Sequence, residues 1–241
     1  MKSTKNILPL RLNRVGLTLA ESEVLRDIDF TLNAGGITIL LGANGSGKSL
    51  LMQICHGYRK PDKGSVSWQS DPWSGAQPQQ TLMGQMPVML NRSALANVAF
   101  ALGSLPVNQR NGHAFAALEW AGIETLANQQ ANRLSVGQQQ LIALARAKAM
   151  DTELLLLDEP AASLDPLTAR RVESLIAKLA EQGKTILMST HNLGQAKRLA
   201  NRILFLADGS LIEDNSAAEF FSNPNSSNAR EFLATERGDA L

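Results

Sequence analysis

Gly42-Ala43-Asn44-Gly45-Ser46-Gly47-Lys48-Ser49 follows the apolar run Ile37-Thr38-Ile39-Leu40-Leu41 and opens a stretch over residues 48–56 that is closed by Gly57 and then Pro61. The run reads as a buried strand, the glycines as a loop, and the stretch beyond them as a helix stopped by glycine and proline. The octapeptide fits G-x-x-x-x-G-K-[ST] in full and in the strand, loop, helix order that this pattern requires. Glycine-rich backbone turns its N–H groups toward a β-phosphate, Lys48 sets a cation between the β and γ groups, and the Ser49 hydroxyl is placed to ligate Mg2+. A plain glycine turn with a surface lysine would need no such order of elements.

Two further stretches stand downstream. Leu134-Ser135-Val136-Gly137-Gln138 precedes Leu154-Leu155-Leu156-Leu157-Asp158-Glu159-Pro160 by about twenty residues. A serine and a glycine at a helix start offer a hydroxyl and bare N–H groups to an anion, so Ser135, Gly137 and Gln138 need a phosphate to face, and a second subunit can supply it. Asp158 ends a strand of four leucines, which puts its carboxylate at the carboxyl edge of a parallel sheet, beside the phosphate loop and within reach of the Mg2+ shell. Glu159, one residue on, is the candidate base that orients or deprotonates the water attacking the γ-phosphate. His191 follows Ile186-Leu187-Met188-Ser189-Thr190 and so occupies the same edge, where its imidazole can meet the γ-phosphate. His56 and His113 read as structural, and Gln85, closing another short strand, carries little by itself.

Composition narrows the class. The chain has 241 residues, enough for one large α/β domain with an insertion, and it is 44% hydrophobic and 19% charged, as globular domains are. A formal charge of +1 provides no basic field for nucleic acid. No run approaches the roughly 18 apolar residues that cross a bilayer, and the basic N-terminus meets Pro9, Arg11 and Arg14 in place of a secretory apolar segment. Cys55 is the single cysteine, which excludes an intrachain disulfide and leaves a buried, inert thiol in a cytosolic protein as the simplest reading.

Along the chain, residues 8–32 hold two apolar stretches around Ala20-Glu21-Ser22-Glu23 and predict an antiparallel hairpin. Short strands are expected near residues 66–68 and 81–83, with an exposed Pro, Gly and Gln-rich loop over 70–80. Residues 91–150 change to alanine and leucine at helical spacing, punctuated by Gly103, Pro106, Gly112 and Gly122, and predict an inserted helical subdomain. A parallel-sheet pattern then returns: the leucine strand, a helix over 166–181, a strand over 185–189, a helix near 193–200 and a strand over 203–206. The polar tail from Ser216, with Phe220, Phe221 and Phe232, predicts one or two short docked helices.

Residues 42–49, Gln85, 134–138, 154–160, Ser163-Leu164-Asp165 and His191 stand in the order seen in ATP-binding cassette ATPases, and the resemblance covers nearly the whole chain. It implies a P-loop NTPase (RecA-like) α/β core over residues 1–86 and 151–215, with an N-terminal antiparallel β subdomain. A helical subdomain over 87–150 and tail helices over 216–241 complete the implied plan. It also implies two cassettes paired head to tail, each ATP held between the phosphate loop of one and the 134–138 segment of the other. By position, Gln85 resembles the residue that senses Mg2+ and the attacking water, Asp165 the contact across the dimer, and His191 the switch histidine. Three residues depart from the family pattern. Val136 replaces a glycine, at a cost if close approach or positive φ is needed there. Leu141 replaces a common arginine, and Leu19 stands where an aromatic ring usually stacks on adenine, forfeiting about 1 kcal/mol or more.

Such cassettes usually drive a membrane permease, which would dock at residues 86–100, with a solute-binding protein outside and the cassette on the cytoplasmic face of the membrane. Residues 86–100 and the 219–233 tail resemble bacterial importers of oxyanions, tungstate or molybdate above all. The other expectation is a soluble single-cassette ATPase of the iron-sulfur assembly type, working without a permease. A kinase would have no use for residues 134–138 or for adjacent Asp158 and Glu159.

Overall fold

The computed structural model describes residues 6–73 and 79–237. Strands β1 (Leu10–Leu19) and β2 (Ser22–Leu32) form the expected antiparallel hairpin, turning through Ala20 and Glu21, both at positive φ. Helix α1 (Lys48–His56) follows strand β3 (Ile37–Leu41) across the glycine loop, and β4 (Lys63–Ser67) then pairs antiparallel with β1 to complete a three-stranded sheet in the order β2-β1-β4. This strand starts earlier than the apolar residues at 66–68 suggest, because its first residues are exposed edge positions.

The remaining strands are β5 (Gln80–Met83), β6 (Leu154–Asp158), β7 (Thr185–Thr190), β8 (Arg202–Ala207) and β9 (Ser210–Ser216). With β3 they make a six-stranded sheet in the order β5-β6-β7-β3-β8-β9, parallel except for the antiparallel β8-β9 edge. β9 was not expected from the sequence: its run Ser-Leu-Ile-Glu-Asp-Asn-Ser is polar, and pairing with β8 across the Asp208-Gly209 turn decides its conformation.

Side chains alternate across this sheet and so separate two cores. Ile37, Ile39, Leu41, Leu155, Leu157, Ile186, Met188, Ile203 and Phe205 face the helical side, while Leu40, Leu154, Leu156, Leu187, Leu204 and Leu206 face α1 and the β1-β2 hairpin. Each such aliphatic side chain contributes about 1.5–3 kcal/mol by leaving water. The runs are apolar on both faces because both faces are covered.

The helical side carries α2 (Ala94–Phe100), α3 (Val107–Ala121) and α4 (Val136–Met150), with 3-10 turns at Glu124–Leu126 and Ala131–Arg133. Gly112 does not break a helix; it lies inside α3 and the stop comes at Gly122, which adopts the left-handed conformation. α5 (Pro166–Glu181) and α6 (Leu193–Leu199) connect the later parallel strands. The tail folds as α7 (Ala217–Ser222) and α8 (Ser227–Arg237), with Phe220 and Phe232 at 5.6 and 5.3 Å from the Phe205 ring. The loop expected over 70–80 lies partly outside the described residues. Cys55 is buried, and burial pushes its thiol up to about 12.

Candidate functional site

The glycine loop leaves β3 with almost no room to spare. A Cβ on Gly42 would stand 2.1 Å from the Leu206 carbonyl oxygen, and one on Gly47 2.7 Å from Leu25 Cδ2, with Gly47 at φ 102. Gly47 is also the N-cap of α1 and supplies no side chain to it, so the first-turn N–H groups point at the loop's concavity. Ser46 Oγ is buried without a hydrogen-bond partner. Lys48 Nζ donates to the carbonyls of Gly42 and Ala43, 2.8 Å each, and its side chain is only 6% exposed. Burial pushes this ammonium below the ordinary lysine value, while Glu159 and Asp158 oppose the shift.

Strand order decides what meets the loop. β7 lies between β3 and β6, so the carboxylates approach the phosphate loop across the end of an intervening strand. Glu159 follows β6 at φ 48, a left-handed conformation uncommon for residues with a Cβ. Its N–H donates to Ser189 Oγ at 2.9 Å and reaches Ser189 O at 3.3 Å, and Ser189 Oγ in turn donates to Asp158 Oδ1 at 2.5 Å. Glu159 Oε1 stands 2.8 Å from His191 Nδ1 and 3.9 Å from Lys48 Nζ. An ionised carboxylate only accepts, so Nδ1 carries the proton in this contact. His191 thus faces Glu159 through the nitrogen nearer its backbone.

Asn44, Gly45, Gly47, Lys48, Ser49, Gln85, Glu159 and His191 line one cleft of about 850 Å3, together with Ser163 and Leu164. Asp158 is half-buried behind Glu159 and does not line it. Gln85 is exposed, and its backbone carbonyl accepts from Gln140 Nε2 at 2.7 Å, which ties it to α4. Asp165 caps α5, accepting from the N–H groups of Leu167 and Thr168 at 3.1 and 3.0 Å. Hydrogen bonds from the Thr168 side chain, then from its backbone, hold that carboxyl below its ordinary value.

Ser135, Gly137 and Gln138 sit apart from these residues, around a second cleft of about 350 Å3 shared with Leu141, Thr168 and Arg171. Ser135 and Gln138 form a capping box on α4: Ser135 Oγ accepts from Gln138 N–H at 3.3 Å and Gln138 Oε1 from Ser135 N–H at 3.0 Å. Ser135 uses its oxygen as acceptor there and keeps its hydroxyl proton to donate. A Cβ on Gly137 would meet Thr168 Cγ2 at 2.6 Å, so this glycine lets α4 and α5 approach. Val136 is the first residue of α4, has no positive φ, and is 46% exposed. The cost of a positive φ is therefore absent there, and an exposed side chain distinguishes it from glycine. Leu141 is buried in the helical core, and Leu19 is half-buried against the hairpin core.

Ser189 escaped the sequence reading, although a serine ending the apolar run 186–188 just before His191 was a visible signal. The Glu173, Gln195 and Arg198 cluster also lines the main cleft: Arg198 grips the Glu173 carboxylate through Nε at 2.9 Å and Nη2 at 2.7 Å. It joins α5 to α6 and had no motif to announce it.

The loop fits a polyphosphate: backbone N–H donors, an unpartnered buried hydroxyl and a lysine converge where a Cβ could not stand. Among the described residues no group of three or more His, Cys, Asp or Glu could hold a metal alone.

A family model described as ABC transporter matches residues 25–162. The arginine transport ATP-binding protein ArtM of Bacillus subtilis is 31% identical over 239 residues, spanning 93% of this chain and 98% of that protein. The glutamine transport ATP-binding protein GlnQ of Geobacillus stearothermophilus is 31% identical over 233 residues, with 92% and 96% covered. Among solved structures, cbiO1 from Clostridium perfringens, part of the ABC transporter complex cbiONQ, superposes with a TM-score of 0.79 at 23% identity over 97% of both chains. An ATP-binding cassette solved as a dimer in a post-hydrolysis state with ADP and Pi matches with a TM-score of 0.76 at 27% identity, covering 86% of this chain and 98% of its own. The chain therefore belongs to the ABC transporter family, as an ATP-binding cassette that hydrolyses ATP and takes it with Mg2+.

Proposed function

We propose that this cassette is the motor subunit of a membrane importer, working as an ATP-joined homodimer docked on a permease. The observation that carries the reading is the split of the site. Lys48, Glu159 and His191 converge in one cleft, and Ser135 and Gly137 line another on the same chain. The phosphate-loop residues and the 134–138 residues line different clefts, and head-to-tail pairing of two copies would bring one against the other.

In this reading residues 42–49 bind the phosphates, and Glu159 accepts a proton from the attacking water while His191 holds its carboxylate in place. Gln85 orients the water and Asp165 meets the partner copy. Ser49, Gln85 and Asp158 would hold Mg2+, which neutralises charge on the phosphate oxygens. Closure of the dimer would reach the permease through residues 86–100, whose exposed Met86, Val88 and Phe100 suit docking. Among the described residues no helix is long and apolar enough to cross a membrane, so attachment at the cytoplasmic face would be peripheral. An external solute-binding protein belongs to the same reading.

The solute is the finer question. The tail and residues 86–100 pointed to tungstate or a related oxyanion, but the curated relatives carry amino-acid names, arginine, glutamate and glutamine among them. Amino-acid import is therefore the reading that the relatives support, and a soluble assembly ATPase is not favoured by full-length matches to transport ATPases. Uptake of labelled arginine, glutamine and tungstate into cells with and without the gene separates the solutes. A tagged chain that recovered only soluble partners at every salt concentration would overturn the permease reading.

A further inference from the structure

We infer that Ser189 is a positioning residue that sets both carboxylates of the site through one hydroxyl. The inference rests on the reading of Asp158 and Glu159 given above. Ser189 is fully buried on β7, level with Asp158 on β6 and with Leu40 on β3. Its Oγ donates to Asp158 Oδ1 at 2.5 Å and accepts from Glu159 N–H at 2.9 Å, so a single atom is spent on both neighbours. Hydrogen bonds to an ionised carboxylate are shorter and stronger than neutral ones.

The second bond fixes a backbone that would otherwise wander. Glu159 stands at φ 48, and its N–H has Ser189 as its partner through both Oγ and the carbonyl oxygen. That conformation carries Oε1 to His191 Nδ1, two residues beyond Ser189 on the same chain, and toward Lys48. Removing the hydroxyl leaves Asp158 without this donor and Glu159 N–H with only the 3.3 Å carbonyl contact. Alanine or valine there would keep the strand and lose both bonds.

The test compares Ser189→Ala with Ser189→Thr, which keeps the hydroxyl, at matched folding judged by thermal melts. In the nucleotide-free Ser189→Ala protein, amide hydrogen exchange at Glu159 should quicken about tenfold. Binding of a fluorescent ATP analogue without Mg2+ should be unchanged, while the Mg2+ concentration that half-saturates its tightening should rise about tenfold. kcat should fall about tenfold with little change in KM for ATP, and Ser189→Thr should recover most of each effect. If Ser189→Ala does not fold, Ser189→Cys, similar in volume but a weak donor, carries the same measurements. Wild-type exchange at Glu159 and a wild-type Mg2+ midpoint would overturn the inference. Glu159→Gln, assayed beside them, separates the two readings: wild-type hydrolysis in that variant sinks the base assignment, whereas the exchange result still decides Ser189.

Discussion

His191 Nδ1 and Glu159 Oε1 stand 2.8 Å apart, so the ends of β7 and β6 meet through side chains as well as through the sheet ladder. Glu159→Gln keeps that geometry and removes the carboxylate proposed as the base. ATP hydrolysis should drop about 10²–10⁴-fold, and an ATP-bound dimer should accumulate on size exclusion. His191→Ala should cost less, about tenfold, because Lys48 still faces the carboxylate. Phosphate release measures both, and wild-type turnover by Glu159→Gln is the outcome that removes the assignment.

Lys48 is held by two loop carbonyls and lies next to Glu159. Lys48→Ala should abolish binding of a fluorescent ATP analogue while leaving a cooperative melt. Retained micromolar binding would contradict the phosphate role.

Val136 has ordinary helical geometry, so glycine there relieves no strain. In the proposed pairing, Val136→Gly should still tighten the ATP-driven dimer by removing an exposed side chain from the face that a partner's phosphate would approach. The helix loses at most about 1 kcal/mol of propensity in exchange. Sedimentation in the Glu159→Gln background reads the change, and an unaltered dimer constant would remove this account.

Leu156 is completely buried against the hairpin core. Leu156→Ala should destabilise the fold by about 2–5 kcal/mol in urea denaturation, with a cavity where the isobutyl group was. A loss below 1 kcal/mol would show that this face of the sheet repacks.

Asp165 caps α5 with a carboxyl whose proton affinity is lowered by the Thr168 hydrogen bonds. A depressed carboxyl contributes stability above its unfolded value, near pH 4, and loses it as pH falls through the lower folded value. Asp165→Ala should therefore melt earlier than the wild type at pH 7, and the two curves should converge in strong acid. A gap that widened toward low pH would reverse the sign and refute the cap.

Much of this arrangement was legible beforehand because local rules and tertiary packing agree. Residues 37–56 and 154–158 carry their strand, loop and helix signals in consecutive residues, and α5 begins at Pro166 behind an aspartate cap as helix statistics expect. β9 was hidden, since its polar residues acquire strand form from β8. Ser189 and the Glu173-Arg198 pair were hidden for another reason: each draws its meaning from residues 25 to 31 positions away, a distance no local pattern spans. The clefts were likewise invisible, because their walls come from strands whose order in the sheet differs from their order in the chain.

The place of β7 between β3 and β6 also governs which sequence changes the protein can absorb. Successive strand residues point to opposite faces at about 3.3 Å per step. Replacing one aliphatic residue in this strand by another alters volume alone. Inserting or deleting one would turn Ser189 away from Asp158 and shift His191 out of step with Glu159 in the same stroke. The strand is thus a fixed measure of length, tolerant of spelling and intolerant of count.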